Sequence, residues 1–99
     1  MTKQDVVNSG VTTFALLEGA LRQVKQSLTD LDGLATDANS TGLFTWGQAT
    51  DIQAQLADMA SQVSQHYADV IKLHQACTKL AQAQGVDIVD PNSGGTRSA

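Results

Sequence analysis

The stretch FALLEGALRQVKQSLTDL, residues 14–31, places apolar side chains at Phe14, Leu17, Leu21, Val24, Leu28 and Leu31. Steps of three and four alternate without a fault. That spacing keeps one stripe of side chains on one side of an α-helix and, when sustained, forms a heptad seam. Carried backwards, the frame meets Gly10 and Val7. The second half of the chain repeats it through Ala49, Ile52, Leu56, Met59, Val63, His66, Val70, Leu73, Cys77 and Leu80. Two such segments predict an all-α fold: an antiparallel two-helix hairpin whose facing stripes form a coiled-coil-like core seam.

Local signals set the expected ends. Thr2 with Asp5 three residues on reads as a helix N-cap, and Gly33 after Asp32 reads as a left-handed C-cap with Leu34 folding back on Leu28. The first helix is therefore expected over about 3–32, followed by a loop at 33–45 rich in Gly, Ser, Asn, Asp and Thr. Thr45 and Gln48 form a capping box, with Thr50 as a second possible cap. The second helix is expected over about 46–84, closed by Gly85 with Val86 packing towards Leu80. Residues 1–85 thus form the hairpin, and 86–99 read as an extended arm and polar tail.

Composition excludes several roles. Charged residues are 16% of the chain and the formal net charge is -4. The cations Lys3, Arg22, Lys25, Lys72, Lys79 and Arg97 are scattered, so no basic stripe exists to displace counterions from phosphates, and nucleic acid is not an expected partner. Cys77 is the single cysteine, which excludes an intrachain disulfide. No apolar run reaches the length of a membrane span, and MTKQDVVNSG lacks the basic and apolar regions of a Sec signal. Membrane insertion is not expected, and of the possible locations a virion is favoured.

The chemistry-bearing residues do not converge in the sequence. His66 falls in the seam and is expected to be a core or interface histidine, bonded to Asp69 or to a neighbouring chain; a pH-sensitive contact is the second reading. His74 and Cys77 have metal-ligand spacing but no further ligands, so neither metal nor cofactor is expected. Glu18 is read on a solvated face, four residues before Arg22 in the order that favours a weak surface pair. No nucleophile-and-base pattern, paired carboxylates or phosphate loop is visible, and the chain is read as non-enzymatic.

The stretch GLFTWGQ, residues 42–48, carries the only tryptophan. In size and layout the chain resembles the WXG-type small secreted proteins of type VII secretion, helical hairpins with Trp-x-Gly at the bend. Here Gly47 follows Trp46 directly, and Gln48 takes the place of that glycine. The family's Tyr-x-x-x-Asp/Glu export signal is also missing, since Ile71 lies four residues after Tyr67. The resemblance implies a dimeric secreted binding module.

Apolar residues outside the seam point to assembly. Val6, Val11, Leu16 and Ala20 on the first helix, with Ala60, Tyr67, Ile71 and Ala76 on the second, widen the apolar arc beyond what one antiparallel neighbour covers. Leu16, Phe44, Trp46, Tyr67, Ile71, Val86, Ile88 and Val89 are the candidate interface residues, the last three on an arm expected to reach a neighbouring subunit. The fold is expected to complete its core by oligomerisation, with other copies and other proteins of the same assembly as partners. The expected function is that of a structural subunit of a multi-copy assembly, most plausibly a bacteriophage tail, connector or capsid-associated component; the alternative is the WXG-like secreted hairpin.

Overall fold

The computed structural model describes residues 1–90 and 95–97, with side chains as far as Ile88. Two helices packed against each other carry the fold: α1, Lys3–Ser40, and α2, Trp46–Ala83. A short antiparallel ribbon follows, with β1 at Ile88–Asp90 and β2 at Gly95–Arg97. The chain divides into two compact units. One joins Met1–Ala20 to the segment from Ala68 onward; the other is Leu21–Tyr67.

α1 starts on a reciprocal cap. The Thr2 backbone N–H donates to Asp5 Oδ2 at 3.0 Å, and the Asp5 N–H returns to Thr2 Oγ1 at 3.1 Å. Two donors that the first turn leaves orphaned are thereby satisfied. α2 begins in the same way: Thr45 N–H donates to Gln48 Oε1 at 2.9 Å and Gln48 N–H to Thr45 Oγ1 at 3.1 Å. Thr50, the other possible cap, lies inside α2 and donates to the Gly47 carbonyl.

The end of α1 differs from expectation. The helix does not stop near Asp32 but continues through Gly33 to Ser40, shortening the expected 33–45 loop to 41–45. Gly33 is an interior helical residue, and Leu34 is 60% exposed rather than folded back on Leu28. A helical glycine costs about 1 kcal/mol relative to alanine; the helix beyond it is packed, with Ala35 4% exposed and Thr36 Oγ1 bonded by Gln53 Nε2. The left-handed position is Gly42, with φ 81°. There Gly42 N–H reaches the Asn39 carbonyl and Phe44 N–H the Ala38 carbonyl, both at 3.1 Å, which satisfies carbonyls that the helix end leaves open.

α2 ends at Gly85, which has φ 74°. Val86 N–H then donates to the Ala81 carbonyl at 3.3 Å, the long return bond of a Schellman turn. The turn sends Val86 and Ile88 back onto their own chain, where they are 8% and 4% exposed. Gln4 Nε2 donates to the Asp87 carbonyl at 3.1 Å and ties the segment to the first turns of α1. These two residues are therefore intrachain core, not an arm held out to a neighbour. Of Val89 only the backbone lies within the described residues, and part of the polar tail lies outside them.

The packed face is rotated from the expected seam. Along α1 the buried and half-buried positions include Val7, Val11, Phe14, Glu18, Leu21, Leu28, Ala35 and Asn39; along α2 they include Ala49, Gln53, Leu56, Ala60, Val63, Tyr67, Val70, His74 and Ala81. The seven-residue anchors Phe14, Leu21 and Leu28, and Leu56, Val63 and Val70, lie on this face. Between Phe14 and Leu21, and between Leu56, Val63 and Val70, the structure takes the step of four, to Glu18, Ala60 and Tyr67, rather than the step of three; between Leu21 and Leu28 both Val24 and Lys25 are exposed. In a helix those two steps fall on opposite flanks of the anchor, roughly 40° one way and 60° the other. As a result the other expected seam residues lie outside: Leu17, Val24 and Leu31 are 43%, 44% and 49% exposed, and Met59, Leu73 and Leu80 are 48%, 56% and 70% exposed. His66 and Cys77 are exposed as well, and Ile52 is half-buried.

Polar side chains explain the choice of flank. In the turn-bearing unit, Gln53 Nε2 reaches Thr36 Oγ1 at 2.8 Å and the Asp32 carbonyl at 3.1 Å. In the same unit Arg22 Nη1 donates to Tyr67 Oη at 3.1 Å, with the guanidinium carbon 6.0 Å from the ring centre. Gln53 and Tyr67 are step-of-four residues, so the face that pairs them is the one that closes.

Candidate functional site

In the terminal unit the packed face contains a polar group. Glu18 is 3% exposed, and its Oε1 lies 3.3 Å from His74 Nδ1. The His74 ring stacks on Phe14 with centroids 4.6 Å apart and planes within 1° of parallel. Glu18 therefore does not lie on a solvated face, and its partner is His74 rather than Arg22. A lone carboxylate among apolar positions reads as surface because burying it without a partner is expensive; here the partner comes from the other helix, beyond the reach of local spacing.

Beside this group a groove of about 350 Å³ is lined by Val6, Val7, Gly10, Val11, Phe14, His74, Cys77, Thr78, Leu80, Ala81 and Ile88. Its lining is apolar apart from the edges of His74, Cys77 and Thr78. Cys77 is exposed and, among the described residues, forms no hydrogen bond with His74. His74 holds its carboxylate through Nδ1, while the thiol three residues on is not paired with a base. The arrangement positions a ring and closes a helix face.

The turn-bearing unit has a second groove, of about 420 Å³, lined by Leu31, Leu34, Ala35, Asp37, Ala38, Thr41, Leu43, Phe44, Ile52 and Leu56. Phe44 is half-buried in its wall, where Asn39 Nδ2 donates to the Phe44 carbonyl at 3.3 Å. Leu43 and Trp46 stand 72% and 73% exposed at its end of the chain. Leu31 and Ile52 open into the same groove.

Of the other candidate interface residues, Leu16 is 69% exposed, whereas Tyr67 and Ile71 are half-buried. No helix among the described residues is long and apolar enough to cross a membrane, and no group of three or more His, Cys, Asp or Glu residues among them is placed to hold a metal. Comparison with protein-family models, with curated proteins and with solved structures gave no match.

The most prominent chemical feature is therefore exposed apolar surface on each helix. Leu17, Val24 and Leu31 on α1 and Met59, Leu73 and Leu80 on α2 are 43–70% exposed. Sequence reasoning found every one of them but assigned them to the interior.

Proposed function

We propose that the chain is a non-enzymatic structural subunit of a multi-copy protein assembly, with a bacteriophage virion component as its most specific form. The observation that carries the reading is the outer stripe of each helix, Leu17, Val24 and Leu31 on α1 and Met59, Leu73 and Leu80 on α2, each 43–70% exposed at heptad spacing. Covering the exposed part of each contributes on the order of 1 kcal/mol. Scattered exposed leucines need no explanation, but a periodic row does.

The thin interior supports the same reading. The buried apolar residues among those described are Leu28, Ala35, Ala49, Leu56, Val86 and Ile88, and none of them is wholly buried. A core this thin gains stability from neighbours.

Light scattering combined with electron microscopy of the purified chain tests the proposal. Regular multi-subunit particles, or filaments, are the expected result. A defined dimer that does not grow with concentration would favour the secreted, WXG-like alternative, and a persistent monomer would contradict both.

A further inference from the structure

Resting on that assembly reading, we propose that the outer stripe of α2 is covered by α2 of a second copy, packed antiparallel about a two-fold axis, as one of the contacts that build the assembly. Met59, Leu73 and Leu80 form the apolar part of the stripe. One position before Ile52, Met59, Leu73 and Leu80 stand Asp51, Asp58, Lys72 and Lys79, all exposed, with Gln65 before His66 at the centre. The acids occupy the N-terminal half of α2 and the cations the C-terminal half.

Among the described residues none of these four charges makes an ion pair; the one close carboxylate–imidazole contact joins Glu18 to His74. Asp58 accepts a hydrogen bond from Gln62 Nε2 at 3.1 Å, and Asp51, Lys72 and Lys79 make no ion pair with a described residue. Laid antiparallel on a second α2, Asp51 meets Lys79 of the second copy and Asp58 meets Lys72 of the second copy. One register satisfies both pairs, because each is symmetric about position 65. The symmetry then repeats both pairs on the other side of the axis.

Self-complementarity of this kind is what a two-fold contact requires. Charged residues flanking an apolar seam set partner and orientation in helical pairs. Parallel packing of two α2 helices would bring like charges together along the whole flank. α1 has no counterpart, since the corresponding positions Leu16, Gln23, Asp30 and Asp37 include no cation. Pairing α1 with α2 of another copy would leave Asp51 and Asp58 without a counter-charge.

Charge reversal in the full chain tests the contact, read by sedimentation velocity at low salt with circular dichroism to verify helicity. The variant D51K/D58K places lysines opposite lysines and is expected to weaken self-association on the order of tenfold or more. The quadruple variant D51K/D58K/K72D/K79D restores opposite charges at both pairs and is expected to associate like the wild type. Mixed with the wild type, the quadruple variant should self-sort, because Asp51 would then face Asp at position 79. Failure of the quadruple variant to recover, in a wild-type chain that does associate, would overturn the antiparallel α2 contact and leave the assembly reading standing. A wild-type chain that stays monomeric would overturn both.

Discussion

His74 Nδ1 lies 3.3 Å from Glu18 Oε1, joining the one buried charged residue of α1 to a ring that stacks on Phe14. The pair spans the two helices of the terminal unit and fixes which flank of each faces the other. Glu18→Ala would strand the His74 nitrogen and open space beside Phe14, and should destabilise the fold by about 1–3 kcal/mol. Glu18→Gln keeps a group able to bond either ring tautomer and should lose less. Urea denaturation followed by far-UV circular dichroism separates the two; equal stability of Glu18→Ala and wild type would remove the pair from the account.

Gly33 lies inside α1, with no atom within 4 Å of where a Cβ would sit and without a left-handed φ. Gly33→Ala should therefore stabilise the protein by about 0.5–1 kcal/mol, seen as a higher melting temperature. A drop instead would mean that position 33 needs the left-handed backbone of a helix terminator. Gly42→Ala is the contrasting variant: with φ 81° it should destabilise even though its Cβ position is open.

What could be read locally and what could not divide along a physical line. The Thr2–Asp5 and Thr45–Gln48 caps and the glycine turn after α2 are complete within a few residues, so the sequence carries them in full. The end of α1 is not local: Gly33 has the grammar of a terminator, and the helix beyond it is held by contacts distant in sequence, among them buried Ala35 and the Gln53–Thr36 bond. The choice of flank is less local still, because alternating steps of three and four describe both faces equally well. Apolar patterning selects the face with Leu17 and Leu73; the bonds of Glu18, Gln53 and Tyr67 select the other. Val86 and Ile88 could be read as an apolar segment, but where it docks is set by the first turns of α1.

The cap of α1 should respond to acid. Thr2 holds the Asp5 carboxyl below the ordinary carboxylate value, first by its backbone N–H and then by its side chain. A carboxylate whose folded value is depressed contributes stability above its unfolded value, and that contribution is lost as pH falls through the folded value. The first turn of α1 should fray at acidic pH, with a lower protection factor, corrected for intrinsic exchange, at the Val6 amide that bonds the Thr2 carbonyl. Asp5→Asn should remove most of this pH dependence; an unchanged exchange profile would contradict the cap.

Ile88 is 4% exposed and sits in the wall of the terminal groove. Ile88→Ala should cost about 2–4 kcal/mol of stability, independent of protein concentration, because the residue packs within its own chain. A variant with unchanged stability but impaired self-association would return this segment to the role of an arm that reaches a neighbour.

Leu73 is 56% exposed on the outer stripe of α2, away from the Glu18–His74 contact. Sedimentation equilibrium of the wild type beside Leu73→Asp, with helicity checked on the same samples, tests the assembly claim most directly. The account predicts a wild-type mass several times that of one chain and a Leu73→Asp variant that keeps its helicity but falls towards the monomer. A wild type that is monomeric across the concentration range, or a Leu73→Asp variant that loses its helices, would contradict it.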